Sequence, residues 1–519
     1  MRNFHAYAEV APDRPAVVDP TGAVTSFGAL AAQVDRLTRF LSDRVPTRGA
    51  SVCVLLPNGG ALLTVQRAVL RRPLYLTAIN WHYAAAEIAY VLRDCDAELI
   101  FTDTDHLELV RAAVTLADLP DDRIVVVDET GGNETIAAYP ATPPEPSTGG
   151  SRMLYTSGTT GKPKGVRRAL PAASPERLAA AVVERAELYG AAHEHGRYLS
   201  VAPMYHAAPS AYADQALDVG HTVVILSRWD AESALKVIER WQITWTYLVP
   251  LMMRDLLEYK DSHPAGLRSL RSIVHTAAPC PPSVKRAMIE WAGPVLNEIY
   301  GGTEGSATFI STPEWLRRPG SVGRARKGVT ITVRAEGGAV LPHGEIGLIY
   351  FANAGAPFEY HHAEDKTRST RIGNQATLGD IGYLDAEGYL YLCDRTADTI
   401  ISGGVNIYPA EIEHALLELP EIRSACVVGR PDSRWGESVH AVLVAADRVA
   451  DTEALAIEIA ARLRTKIAGY KVPRTFEFVT ELPFSAVGKL LRREVRDRVI
   501  AEAGNEGGAG TESADEARE

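Results

Sequence analysis

Cysteine is scarce. The 519 residues hold five, Cys53, Cys95, Cys280, Cys393 and Cys426, with neither CxxC spacing nor an even-numbered framework, which argues against a disulfide scaffold or zinc site and for reduced thiols. Long apolar runs are lacking too. None approaches the ~18 residues needed to span a bilayer, and MRNFHAYAEVAPDRPAVV has no apolar core of signal-peptide length, so a cytoplasmic protein is expected. Positive charge is in deficit: 54 Lys and Arg against 65 Asp and Glu give a net charge of −11, which argues against a broad cationic face for nucleic acid or an anionic membrane. Internal repeats of 20 to 50 residues are absent, as are the Walker A spacing and the GxGxxG fingerprint.

What is present suits a large folded enzyme. Apolar residues make up 46% and charged residues 23%, ordinary soluble usage, and the length calls for more than one core. From Ser51 to Asp128 short apolar runs alternate with helical patterns (SVCVLLPN, GALLTVQRAVLRR, LYLTAIN, AAEIAYVLRDCD, AELIFTD, RIVVVD). That rhythm predicts βα units and a largely parallel, helix-covered sheet, and it returns from Tyr198 to Thr276. YPATPPEPSTGGSR, 139–152, reads as loop. After Asp394 a compact block follows: a helix around Pro409–Leu419, strands at SACVVG and HAVLVAA, a helix over Thr452–Ile467 and a strand at RTFEFV. The expected class is α/β: a large multi-subdomain N-terminal region over 1–395, a small mobile α+β lid over 396–500, and a disordered acidic tail over 501–519.

The chemistry begins at YTSGTTGKPKG, Tyr155 to Gly165. Glycines at 158, 161 and 165 let backbone N–H groups approach a polyanion, and the hydroxyls of Thr156, Ser157, Thr159 and Thr160 add donors. Lys162 and Lys164 supply countercharge. A hydrophilic surface loop has similar composition, but the order of residues here resembles the phosphate loop of the adenylate-forming superfamily, which includes acyl-CoA synthetases, luciferases and peptide-synthetase adenylation domains. Further segments similar to that family follow in order: VAPMYHAAP around His206, IYGGTEG around Thr303 and Glu304, LGDIGYLDAEGYLYLCDR with Asp380 and Arg395, IISGGVNIYPAEIE with Gly403 and Gly404, and SAVGKLLRREVR with Lys489. NWHY at Asn80 and ADTIISGGVNIYP resemble actinobacterial fatty-acyl-type CoA ligases most.

The resemblance implies an ATP-dependent acyl-CoA ligase: a carboxylate and ATP give acyl-AMP and pyrophosphate, and the acyl group then passes to coenzyme A. It also implies roles. Lys489 stabilises charge on the phosphorus under attack, Thr303 meets the α-phosphate, and Glu304 holds Mg²⁺. Tyr300 stacks on adenine beside Gly301 and Gly302, with Ala277, Ala278 and Pro279 as a wall. Asp380 takes the ribose hydroxyls, and Arg395 binds ribose or phosphate from the domain junction. His206 gates the carboxylate. Gly403 and Gly404 line a pantetheine channel after the lid rotates, with Trp435, Tyr470, Lys471 and Arg474 toward the nucleotide end of coenzyme A. Where relatives carry Asp or Lys as the hinge this chain has Ala397, followed by Asp398.

Ala207, Ala208, Ser210, Ala211, Ala213 and Gly302 predict a roomy acyl pocket for a bulky or long apolar acid, though tight helix packing also explains the alanines. The rival reading is an acyl- or aminoacyl-adenylate-forming enzyme that delivers to a carrier protein, for which Asp214 is the one nearby candidate to pair a substrate ammonium. The expected partners are a small carboxylic acid, ATP, Mg²⁺ and coenzyme A, without nucleic acid or a membrane span. The sequence leaves the oligomeric state open, with a homodimer as the working expectation.

Overall fold

The computed structural model describes residues 3–156, 163–353, 357–446, 451–485 and 488–509. Its elements begin where local chemistry allows. Asp230, for example, accepts from Ser233 N at 2.8 Å and caps the helix Ala231–Trp241, satisfying a backbone donor the helix cannot. Two sheets carry the large region. In the first, strands Ile124–Val126, Ala97–Thr102, Ser51–Leu55, Tyr75–Ala78 and Ser151–Arg152 lie side by side and run parallel. The predicted βα rhythm is therefore present. The 139–152 segment differs from its reading as loop in its last two residues: Ser151 and Arg152 pair with Tyr75 and Leu76, a sheet edge that composition alone does not report.

The second sheet joins parallel strands Pro15–Val18, Thr222–Ile225, Arg197–Ser200, Trp245–Leu248, Ser272–His275 and Leu296–Glu298 to an antiparallel half in which Tyr389–Arg395 and Gln375–Leu384 lie side by side and Gly347–Asn353 and Val329–Arg334 form the edge. One apolar core, with fully buried Trp245, Tyr198 and Phe27, spans the faces of both sheets. Burial of this much apolar side chain supplies the main drive to fold.

After Arg395 the chain builds a smaller unit with its own core. Strands Val405–Ile407, Ile400–Ser402, Gly436–Ala445, Ile422–Asp432 and Thr475–Phe478 form one sheet, packed by Ile412, Leu416, Ile459 and Leu463 from helices Pro409–Leu417 and Thr452–Leu463. Asp394, Asp398 and Glu413 surround the Arg492 guanidinium at 3.4, 3.3 and 2.6 Å. Arg496 donates to the Ala397 carbonyl at 2.8 Å, so both candidate hinge residues sit on bonds to the final helix. That helix, Arg492–Ala509, continues into the segment read as a disordered tail. Val495 and Val499 anchor its buried face, and the following Ala and Glu residues favour helix. Residues 510–519 lie outside the described residues. Among the described residues no helix is long and apolar enough to cross a membrane.

Candidate active site

Antiparallel pairing sets Asp380 directly opposite Arg395, and the Arg395 Nε donates to Asp380 Oδ1 at 3.0 Å. The other carboxylate oxygen accepts from the Tyr300 hydroxyl at 2.7 Å. Burial, reinforced by Asp380, raises the Tyr300 phenol far above its ordinary pKa, so it stays a neutral donor. Three residues drawn from three sequence segments thus form one bonded cluster at the edge of the large region.

Beyond Tyr300, Gly301–Gly302 and Gly305–Ser306 make a tight antiparallel hairpin around Thr303 and Glu304. Glu304 Oε1 accepts from the Tyr360 hydroxyl at 2.8 Å. A Cβ at Gly302 would lie 2.7 Å from Glu304 Oε2. The bare glycine therefore gives space to the glutamate. Arg168 bonds the carbonyls of Thr303 and Glu304.

Lys489 belongs to the small unit but reaches this cluster. A turn bonds Ser485 N to Lys489 O at 2.8 Å and Lys489 N to Ser485 Oγ at 3.1 Å. Gly488, at φ +66°, is seated so that a Cβ would meet Val249 and Leu251 at 3.0 Å, at the start of helix Pro250–Leu257. Contacts beside this turn hold the two units together: Arg254 donates to Arg423 O at 2.8 Å and Ser424 Oγ at 2.7 Å, and Arg423 pairs with Glu258 at 2.9 Å. Burial, then the neighbouring Arg395, depress the Lys489 ammonium to a pKa of about 8, while Asp398, Asp380 and Glu304 partly restore it.

His206 precedes helix Ala207–Asp218. Burial brings its pKa down to about 4, so it is a neutral imidazole near pH 7. Ala277 adopts φ 79°, a left-handed conformation costly for a residue with a Cβ, just where the wall of Ala277, Ala278 and Pro279 was expected. Thr156 and Lys164 face each other across a two-strand pairing. Ser157, Gly158, Thr159, Thr160, Gly161 and Lys162 lie outside the described residues.

The remaining predicted residues keep apart from this cluster. Gly403 and Gly404, at φ +59° and +81°, form the turn between two small-domain strands, and a Cβ at Gly403 would lie 2.8 Å from Trp435. Arg434 and Arg474 stack over Trp435 at 4.9 and 5.0 Å. Lys471 pairs with Glu411 at 2.6 Å, and Tyr470 is exposed.

A cavity of about 400 Å³ opens beside Thr303 and Ala207. Ala207 and Ala211 line it, whereas Ala213 packs into the core and Ser210 bonds Gln66 at 2.7 Å. Its wall is mixed: Leu154, Val166, Leu178 and Val182 stand beside Arg67, Arg71, Arg152, Arg168 and Arg185, with Glu176, Asp214 and Asp218. These arginines are spread along the sequence on separate elements and form no local motif, so sequence reasoning missed them. Tyr360 was missed for the same reason.

The sequence profile described as AMP-binding enzyme matches residues 4–360, and that described as AMP-binding enzyme C-terminal domain matches 411–489. A fatty acid–acyl-carrier-protein ligase of Streptomyces coeruleorubidus is 30% identical over 517 residues, 96% of this chain and 95% of that one. A sulfoacetate–CoA ligase of Cupriavidus necator is 33% identical over 498 residues, 93% and 94% of the two chains. Among solved structures, o-succinylbenzoate CoA synthetase of Bacillus subtilis with its acyl-adenylate intermediate superposes with a TM-score of 0.79 at 27% identity, over 95% of this chain and 98% of the other. The same enzyme bound to ATP and magnesium gives a TM-score of 0.78 at 26% identity, over 95% and 99%.

Proposed function

The chain belongs to the AMP-binding enzyme family and is an acid–thiol ligase of the adenylate-forming type; on that premise we propose that it activates a carboxylic acid with ATP and hands the acyl group to coenzyme A. The observation that carries this reading is the Lys489 ammonium, brought from the small unit to within electrostatic reach of Arg395, Asp380 and Glu304.

In the first half-reaction a carboxylate oxygen of the acid forms a bond to the α-phosphorus of ATP, and the bond from that phosphorus to pyrophosphate breaks. Charge gathers on the non-bridging oxygens. An ammonium held in a partly desolvated site stabilises that charge more in the transition state than in the ground state. Asp380 and Arg395, locked together, suit the ribose hydroxyls and phosphate. Tyr300, Ala277, Ala278 and Pro279 suit the base, and Thr156 and Lys164 flank the polyphosphate. Thr303 faces the acid from the cavity wall, and neutral His206 can accept or donate a hydrogen bond without adding charge there.

Glu304 suits Mg²⁺. One hard carboxylate, oriented by Tyr360 and left unobstructed by Gly302, fits a small cation that keeps most of its waters and phosphate ligands. The ion's contribution is to neutralise triphosphate charge; the chain's contribution is to fix the carboxylate.

In the second half-reaction the thiol sulfur bonds to the acyl carbon, AMP leaves, and the thiol proton goes to solvent. Gly403 and Gly404 would reach the cleft after the lid rotates about the junction past Arg395. Trp435 between two guanidiniums suits the nucleotide end of coenzyme A. Asp214 is held by Arg67 at 3.3 Å and by Arg152, which argues against its pairing a substrate ammonium. The five thiols, free of disulfides, suit a reducing compartment.

The test is acid-dependent ATP–pyrophosphate exchange, followed by mass spectrometry of reactions given coenzyme A or an acyl carrier protein. Exchange with an acyl-CoA product supports the proposal. Acyl transfer only to the carrier would move the acceptor to a carrier protein, as in the Streptomyces relative, and no exchange with any acid would refute the adenylation reading.

A further inference from the structure

Resting on the adenylation reading, we propose that the acid carries a second anionic group, a carboxylate or sulfonate, bound by Arg185 in the cavity beside Thr303. Five guanidiniums line this cavity against three carboxylates. The carboxylates are already engaged: Asp218 accepts from Arg67 at 2.7 Å, Asp214 is shared by Arg67 and Arg152, and Glu176 lies 3.5 Å from Arg71. Arg168 spends donors on the carbonyls of Thr303 and Glu304, which pins its position, but it has no ion pair among the described residues.

The side chain of Arg185, on helix Pro175–Leu188, has neither hydrogen bond nor ion pair among the described residues. Its nitrogens are not sealed in protein, and burial lowers its pKa, an effect that Asp218, already bonded to Arg67, only partly offsets. A guanidinium in that condition costs free energy unless something negative arrives, because its desolvation is otherwise uncompensated. Its planar fork of donors matches a carboxylate or sulfonate. Leu154, Val166, Leu178 and Val182 supply apolar wall in the same cavity, suited to the methylenes between the two anionic ends. A purely aliphatic tail would leave the Arg185 guanidinium against hydrocarbon. An acid whose far end is charged satisfies it while its reacting carboxylate lies toward Thr303 and Arg168.

The experiment uses the full chain with ATP and Mg²⁺, measuring pyrophosphate exchange over matched series of monocarboxylic, α,ω-dicarboxylic and ω-sulfocarboxylic acids of equal chain length. Acids with a second anion are expected to exceed their neutral-ended counterparts in kcat/KM by roughly 10- to 100-fold, the discrimination one buried charge-assisted contact provides. Arg185→Met should collapse that ratio, and Arg185→Lys, which keeps the charge and guards against a folding artefact, should retain part of it. Preference for neutral-ended acids, or a ratio unmoved by Arg185→Met, overturns the second-anion proposal while leaving adenylation intact. A lack of exchange with every acid overturns the adenylation reading and this inference with it. The better of the two charged series identifies the anion as carboxylate or sulfonate.

Discussion

Asp394 and Arg395, neighbours in the chain, are tied to opposite sides of the domain junction: Arg395 donates to Asp380 of the large region at 3.0 Å, and Asp394 faces Arg492 of the small unit at 3.4 Å. A rotation about the backbone just past Arg395 would therefore keep the Arg395–Asp380 bond and carry Arg492 away from Asp394, so the Asp394 contacts are the ones such a motion must break. Arg492 is the anchor on the small-unit side. Arg492→Met would leave Glu413 and Asp394 buried without their cation and should destabilise the lid by about 3–5 kcal/mol. Burial already raises both carboxyl pKa values, so the deficit should shrink as pH falls and they protonate. Thermal melts of the two proteins across pH check this.

The Lys489 ammonium predicts an alkaline limb. Its pKa is brought down from the ordinary 10.5 to about 8 in this arrangement of the two units, so the charged form persists at neutral pH and is lost as pH rises through that value. Closure releases protons in the ligand-free protein, and closing becomes easier between about pH 8 and 10.5. The adenylation rate has the opposite sign, since it needs the proton. The pH profile of kcat/KM for exchange should fall above about 8, and Lys489→Arg should move that limb upward.

Glu304 is held by what surrounds it. Gly302→Ala places a methyl 2.7 Å from Glu304 Oε2, which forces the carboxylate to move, and a displacement near 1 Å costs roughly 100-fold in rate. Tyr360→Phe removes the 2.8 Å hydrogen bond without crowding and should raise the Mg²⁺ concentration for half-maximal exchange roughly 10- to 100-fold. Magnesium titrations of both variants distinguish misplacement from lost orientation.

Gly403→Val tests the other face of the lid. A side chain there meets Trp435 at 2.8 Å in a backbone of φ +59°, a conformation β-branched residues resist. Thioester formation should fall much more than exchange, which separates the two half-reactions in one measurement.

Much of this was legible in the sequence because it rests on local pattern. The βα rhythm from Ser51 to Asp128 follows from apolar periodicity, and Asp380, Glu304 and Lys489 sit in short ordered motifs. Two features escaped. Tyr360 reaches Glu304 across 56 residues, and Arg185 shares a cavity wall with Thr303 only through folding; neither leaves a local signal. The small residues after His206 suggest volume, but volume carries no sign of charge, and the arginines around the cavity come from elsewhere in the chain.

The central claim is that one ammonium serves the first half-reaction from a lid that must leave for the second. The direct measurement is Lys489→Ala, assayed both for acid-dependent ATP–pyrophosphate exchange and for thioester formation from a synthetic acyl-adenylate and coenzyme A. A fall in exchange of roughly 100- to 1,000-fold with thioester formation largely kept is the predicted result; exchange at the unmodified rate would contradict the account.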